Sequence, residues 1–366
     1  MAIFEVRVNG RVYAFWEEAT YTRSLDDLCG TFSFTTSDKH PPDTYPVNKG
    51  DALQVFINRT ALLTGFVDTI NIRGSEAGTF VNVSGRDKTQ DIVDSSVPPD
   101  AKNIEGPISF VSLCETVISG LGANIQVIDQ TGGVPDFTAT DLQAGATAEN
   151  AFYFLESFAR KRQIYLNTNG NGDLVLFRPG RVTSSTVLRN EIGGERNNVK
   201  AWESQNTDTA RFNQYVVRSQ DNIGFDEAME YFGEGNSRSG TATDSAIRSS
   251  RYFEIIAEES MNDSDSSNRA AEESNLRRTR SFSYLAAIAE IVQDNGELWD
   301  VGITVPVVDQ KCDVNGQFLI RTLRMSQNVE GGTETILTVS EPDAYNLNAQ
   351  LSARDARRAQ VNRGFV

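Results

Sequence analysis

Apolar and polar residues alternate in short runs over much of the chain, and Gly, Asn, Asp and Pro separate the runs, a pattern of β-strands joined by tight turns. Phe4-Glu5-Val6-Arg7-Val8 alternates, Asn9-Gly10 supplies a type I′ turn, and Arg11-Val12-Tyr13-Ala14-Phe15 returns, so the chain is predicted to open on a hairpin. Tyr21-Thr22-Arg23-Ser24 and Thr31-Phe32-Ser33-Phe34-Thr35 predict two more strands joined through Asp26, Asp27 and Gly30. After a loop around Pro41, Pro42 and Pro46 come three further runs: Ala52 to Phe56, Leu63 to Ile70 and Thr79 to Ser84. Short strands at regular spacing predict a closed or nearly closed barrel ending near residue 90.

From about residue 91 the period lengthens. Phe110, Leu113, Cys114, Val117, Ile118 and Leu121 fall at helical spacing, with Ser109 as N-cap and Gly122 just past the end. Asn124 to Ile128 reads as a strand. A second helix carries Ala151, Phe154, Leu155 and Phe158, with Thr147 as its N-cap and Arg160, Lys161 and Arg162 placed to complement its dipole. The hairpin Ile164–Asn167 to Leu174–Phe177 closes an α+β module before about residue 195. Its turn, Asn169-Gly170-Asn171-Gly172-Asp173, has the composition of a calcium loop but lacks the closing Glu of an EF-hand, which favours a plain turn.

Strand patterns resume at Val199 to Gln205 and Phe212 to Val217, a pair that parallels the one around Tyr21 and Phe34. Residues 233–249, rich in Gly, Ser, Asn and Thr, have no apolar period and are expected to form a mobile loop. Asp263-Ser264-Asp265-Ser266 starts a helix through Ala270, Ala271 and Leu276 to Arg280, acidic early and basic late. Ser281 to Val292 is good helix material at Ala286-Ala287-Ile288-Ala289, yet the repeat described next requires a strand there, and a strand is expected. The tail after Pro342, with Arg354, Arg357, Arg358 and Arg363, is expected to be an exposed arm.

The β pattern occurs twice. Gly50 to Phe56, Leu63 to Ile70 and Thr79 to Ser84 are matched some 250 residues later by Gly302 to Val308, Gly316 to Leu323 and Thr333 to Ser340. Gly50 and Gly65 are 15 residues apart, and Gly302 and Gly316 are 14 apart, so these four glycines are expected to be the turn residues of the repeat. The expected architecture is mainly β with α+β parts: two similar β-barrel domains flanking an α+β module, with a loop and helix insertion in the second barrel. The boundaries are a first barrel at 1–90, the α+β module at 91–195, the second barrel at 196–345 with its insertion at about 230–280, and a C-terminal arm at 346–366. A duplicated β unit points to a pseudosymmetric scaffold before it points to an enzyme.

Composition narrows the chemistry. Lys and Arg number 34 against 50 Asp and Glu, a formal net charge of −16, which disfavours general nucleic-acid affinity and allows an acidic passage past which DNA slides without sticking. Cys29, Cys114 and Cys312 form no paired spacing, which argues against a disulfide framework or thiolate zinc site and for buried free thiols. His40, the single histidine, lies in a Pro-Asp-rich loop, so any Ser-His-Asp arrangement would depend on it alone. Glu258-Glu259 and Glu272-Glu273 are adjacent acids, a pattern of solvated faces; a glycosidase needs acids converging across a cleft. No catalytic, cofactor-binding or metal-binding residue is expected. No run is long and apolar enough for a membrane span, and the N-terminus lacks the basic start and apolar block of a signal peptide, so folding in a cytoplasm is expected.

With these residues laid out, the chain resembles the baseplate hub proteins of contractile phage tails, and among them the hub of Mu-like phages. The resemblance rests on Tyr21-Thr22-Arg23-Ser24 followed by Gly30-Thr31-Phe32. It rests also on the segment Gly85-Arg86-Asp87-Lys88-Thr89-Gln90-Asp91-Ile92-Val93-Asp94, on the helix and hairpin up to Arg178, and on the block from Gly296 through Trp299 and Asp300 to Pro342. Within the most specific segment the family-like residues are Gly85, Arg86, Asp87, Lys88, Thr89 and Asp94.

The resemblance implies a homotrimer whose six similar barrels form a pseudo-sixfold ring around an axial passage for DNA. The hexameric tail tube would stack on one side and the trimeric central spike on the other. It implies tail tube, central spike, baseplate wedge and tape measure proteins as partners, a virion location in the tail baseplate with assembly in the host cytoplasm, and no enzymatic activity. A tailocin or other contractile injection machine would use the same hub, and a hub carrying cell-wall hydrolase activity is the enzymatic alternative.

Overall fold

The computed structural model describes residues 4–13, 16–37, 47–76, 78–139, 142, 149–162, 164–220, 237–257, 263–328 and 332–342. His40, Thr147, Glu258, Glu259 and the C-terminal arm lie outside them. The chain divides into two compact units, one of Met1–Trp202 with Ala286–Thr338, the other of Glu203–Leu285 with Val339–Val366.

The larger unit is built on antiparallel strands: β1 (Phe4–Val8), β2 (Arg11–Tyr13), β3 (Glu18–Ser24), β4 (Thr31–Ser37), β5 (Ala52–Ile57), β6 (Thr60–Ser75) and β7 (Gly78–Asp87). Asn9 and Gly10 both have positive φ, 49° and 76°, the backbone of a type I′ turn that joins β1 to β2 as expected. Alternate residues of these strands face inward. Phe4, Phe32, Phe34, Leu53, Val55, Ile57, Val81 and Val83 are all buried, and burying such side chains contributes about 1.5–3 kcal/mol each.

The later strands are β11 (Leu188–Asn190), β12 (Ala201–Asn206), β16 (Phe282–Ile288), β17 (Thr304–Asp309), β18 (Val314–Asn328) and β19 (Gly332–Ser340). The strand order is β12-β16-β19-β18-β3-β4-β7-β6-β5-β1-β2, with β17 beside β18 and β11 parallel to β17. Among the described residues no closed barrel is detected, so the expected pair of separate barrels is not confirmed. A closed first barrel would have to use the outer edge of β3, but β18 of the second repeat occupies it, from Ser24 opposite Thr322 to Glu18 opposite Asn328. Among the described residues, both repeats therefore share one open sheet.

The α+β module lies within the larger unit. After the short helix α1 (Gln90–Asp94) come α2 (Phe110–Leu121), β8 (Val127–Asp129), α3 (Ala151–Lys161), β9 (Tyr165–Thr168) and β10 (Leu174–Phe177). Ser109 caps α2 by accepting from the Ser112 N–H at 3.1 Å, and Gly122 ends it in the left-handed region at φ 69°, both as the sequence predicts. The cap of α3 is Asn150, which accepts from the Phe152 and Tyr153 N–H groups; it stands immediately before the first helical residue, where Thr147 does not. Phe110, Phe137, Phe154 and Phe158 form an edge-to-face aromatic core.

The smaller unit carries a separate sheet of β14 (Ser237–Thr243), β13 (Gln214–Gln220) and β15 (Tyr252–Ile256), in that order, with α4 (Asp263–Ser281) packed on it. Two expectations are corrected here. The stretch from 237 to 243 is a strand, its residues paired one for one with β13 from Ser237 opposite Gln220 to Thr243 opposite Gln214, not a mobile loop. The strand after Phe212 is not the partner of β12, since it pairs with β14 and β15; the neighbour of β12 is β16, which takes the strand conformation the repeat required. Arg211 and Asp244 form a fully buried ion pair at 2.7 Å that fixes the turn after β14.

Burial pushes the Cys29 thiol up to about 12 and raises that of Cys114 still further, whereas Cys312 is only half-buried. At pH 8 a thiol reagent is expected to label Cys312 of the native protein at least about tenfold faster than Cys29 or Cys114, because the thiolate is the reactive form. Labelling followed by peptide mapping checks this, and equal rates at all three would contradict the packing described.

Candidate functional site

The residues that carry the family resemblance converge on one joint inside the larger unit. Asp87 ends β7 and is 1% exposed; its carboxylate accepts from the Gly30 N–H at 2.5 Å, the Thr89 N–H at 2.9 Å and the Thr89 hydroxyl. Burial raises the Asp87 pKa above the usual carboxylate range, and these hydrogen bonds oppose that shift. Arg86 bridges the Asp68 carboxylate of β6 at 2.7 Å and both oxygens of Asp94 on α1 at 2.7 and 3.0 Å. The bidentate Arg86 contact holds the Asp94 carboxyl below its usual range and raises the guanidinium further. Lys88 reaches the Asn124 carbonyl at 3.0 Å and Asp173 at 3.5 Å. Thr89 is the residue before α1, though its hydroxyl bonds Asp87 and Cys29 and not the helix backbone.

The turn from Asn169 to Asp173 docks on β6. A β-carbon at Gly170 would lie 1.9 Å from the Ala61 carbonyl oxygen, and the Gly170 carbonyl accepts from the Thr64 hydroxyl at 2.9 Å. Asn169 Oδ1 accepts from the Asn171 and Asp173 N–H groups, so a side chain of the turn closes it, and the Asp173 carboxylate faces Lys88.

Arg23 links three parts of the chain. Its Nε donates to Asn167 Oδ1 at 2.9 Å, one terminal nitrogen to Asp300 at 2.8 Å and the other to the Thr168 carbonyl. Asn167 in turn donates to the Ser24 carbonyl at 2.9 Å. Tyr21 beside it is buried and its hydroxyl is pushed up to about 12 by that burial. The motifs quoted from the sequence thus tie the first β repeat, the α+β hairpin and the loop preceding β17 into one body. Asn167 and Thr168 gave no signal of this, being polar strand residues whose burial depends on a neighbour 144 positions away.

The four repeat glycines separate into two kinds. Gly50 and Gly302 are turn residues with φ of 84° and 79°. Gly50 N–H donates to the Val67 carbonyl and Val67 N–H to the Asp51 carbonyl; Gly302 N–H donates to the Ile320 carbonyl and Ile320 N–H to the Ile303 carbonyl. The repeat is therefore present in three dimensions, hydrogen bond for hydrogen bond. Gly65 and Gly316 are not turns. They lie inside β6 and β18, and the pairing of Leu63 with Val55 and of Gly316 with Val307 makes Gly316 the counterpart of Leu63, two residues before Gly65. Sequence alignment by glycine could not find this offset because strands tolerate a Gly wherever a backbone approaches closely.

Among the described residues no group of three or more His, Cys, Asp or Glu side chains gathers to hold a metal. Glu272 and Glu273 are engaged by Arg269 and Arg277 along α4. The joint's ionisable groups are satisfied by one another, an arrangement for rigidity.

Residues 3–87 match the family model of the Mu phage baseplate assembly protein GpP-like N-terminal domain. Along 365 residues the chain is 22% identical to the baseplate hub protein gp44 of Escherichia phage Mu, covering 98% of this chain and 93% of that one. The fold matches the 43 kDa tail protein of prophage MuSo2 from Shewanella oneidensis with a TM-score of 0.81 at 24% identity, over 94% of this chain and 99% of that one. It matches the tail protein from Neisseria meningitidis MC58 with a TM-score of 0.78 at 18% identity, over 95% and 99%. The chain is thus similar to the Mu baseplate hub over nearly its whole length, and its residues 3–87 carry the match to the GpP-like N-terminal family model.

Proposed function

We propose that the chain is a structural, non-enzymatic baseplate hub of a contractile tail, acting as a homotrimer. Each subunit would bring two copies of the β repeat to a ring of six, with the hexameric tail tube on one side, the trimeric central spike on the other and an axial passage for DNA. In this reading the repeats complete barrel-like walls only once subunits assemble. The observation that carries it is the duplicated hydrogen-bond pattern at Gly50 and Gly302 within one chain, since two equivalent surfaces per subunit are what a threefold body needs to meet a sixfold partner. Likeness to the Mu hub along the whole chain supports the same reading.

Light scattering on the purified chain is expected to give three times the chain mass, with trimers decorating the end of tail tubes in electron micrographs. A mass of one chain across the accessible concentration range would overturn the trimeric reading.

A further inference from the structure

The two repeats match strand for strand, both in chain order and in sheet order: β3, β4, β5, β6 and β7 correspond to β12, β16, β17, β18 and β19. In the sheet these run β3-β4-β7-β6-β5 and β12-β16-β19-β18-β17. The smaller unit's three-stranded sheet and α4 are inserted between β12 and β16.

The correspondence has one gap. Along the edge of β18 away from β19, β17 pairs with residues 314–319 and β3 of the other repeat pairs with residues 322–328, end to end. On β6, the counterpart of β18, β5 pairs with residues 60–66 along the same edge, but among the described residues no strand follows it at Thr69 to Gly74. Ile72 there is 67% exposed, while its counterpart by the 253-residue offset between Val67 and Ile320, Met325, is fully buried against β3. At the far end of the sheet, β12, the counterpart of β3, is exposed at every residue, and its outer edge has no described partner; it carries Trp202, 38% exposed under the Lys311 ammonium at 4.1 Å.

We propose that β12 of one subunit (Ala201–Asn206) adds antiparallel to the open edge of β6 at Thr69 to Gly74 in the next subunit, repeating between chains the β18 to β3 joint seen within the chain. The occupant is a second copy, because the one strand whose counterpart fills this edge within the subunit is β12, and β12 is itself unfilled. The contact is heterologous: each subunit offers a β6 edge at one end and β12 at the other, so three steps of the same kind close a ring of six repeats. It buries two open strand edges and the apolar Ile72 and Trp202, which a soluble protein otherwise protects. This rests on the trimeric reading above and names its interface.

The test places the photo-crosslinking residue benzoylphenylalanine at Ile72 in the full chain, with irradiation of the assembled protein and mapping of the crosslinked peptides. The expected product joins the peptide containing Ile72 to one containing Ala201 to Asn206 from another copy. In parallel, Ile72→Glu is expected to weaken trimer formation at least about tenfold, because it puts a charge into a closed strand joint, while Tyr153→Glu, at an exposed α3 position, leaves it unchanged. Circular dichroism confirms that both variants are folded. A trimer whose crosslinks fall elsewhere, or an Ile72→Glu trimer as stable as the Tyr153→Glu one, would overturn the strand joint and leave the trimer standing. A wild-type chain that stays monomeric would overturn both.

Discussion

Gly65→Ala is expected to destabilise the protein by about 3 kcal/mol or more, whereas Gly74→Ala in the same hairpin costs less than about 1 kcal/mol. Neither glycine has the positive φ that only glycine adopts readily, so backbone conformation does not separate them. Space does. A β-carbon at Gly65 would stand 1.9 Å from the Arg86 carbonyl oxygen and 2.4 Å from the Asp87 Cα, both backbone atoms that no rotamer change can move. One at Gly74 would have only the Thr79 hydroxyl within 4 Å, at 3.9 Å. Gly85, across the ladder, is held as closely against the Phe66 carbonyl. The two glycines let β6 and β7 approach where the register shifts between Val67 and Thr69. Forcing them apart displaces Arg86 and Asp87, and with them the contacts to Gly30, Asp68 and Asp94. The midpoint of urea unfolding for the two variants checks this, and equal midpoints would mean that the crossing is looser than the distances require.

What was legible in the sequence was local. The Asn9-Gly10 turn, the Ser109 cap and Gly122 stop of α2, the stripe of α3 and the acidic start of α4 are each set by residues within a few positions of one another, and each stands where the pattern put it. The repeat was legible too, because its strands keep their alternation. Its register was not, since Gly65 and Gly316 serve different contacts and aligning them moved one copy by two residues. Nor was the shared sheet legible: β3 and β18 meet across some 300 residues of chain, and nothing in either strand marks the other as its partner. The strand from Ser237 to Thr243 escaped for a different reason. Gly240 sits against the Ser266 and Ser267 backbone, so small polar residues are what that position accommodates, and they read as a loop. The site residues Arg86, Asp87 and Lys88 stood out as a motif, but their work, joining β7 to α1 and the hairpin turn, depends on Asp68, Gly30 and Asp173, which the motif does not contain.

Arg23→Met is the other large effect expected, a loss of about 3 kcal/mol, and the reason lies in what the arginine leaves behind. Its side chain is 13% exposed and its three donors reach Asn167, Asp300 and the Thr168 carbonyl. Methionine keeps the apolar stem but takes the arginine donors away from the Thr168 carbonyl and from Asn167 Oδ1, which keeps the Thr168 N–H at 2.8 Å, in residues 2% and 1% exposed. Arg23→Lys is expected to recover less than half of the loss, because a single ammonium cannot span three acceptors that a planar fork reaches together. Asp300→Asn should cost less than about 1 kcal/mol, since Asp300 is 49% exposed and water screens its half of the pair. The order Met, then Lys, then the far milder Asp300→Asn is the signature of a tripod; a simple ion pair would make Arg23→Met and Asp300→Asn equally harmful. Urea unfolding separates the two. Limited proteolysis adds a second reading, because Arg23 ties the β9 to β10 hairpin and the loop before β17 together and its loss loosens both. Cleavage near Thr168 and near Asp300 is expected to rise in parallel in Arg23→Met and to stay unchanged in Asp300→Asn.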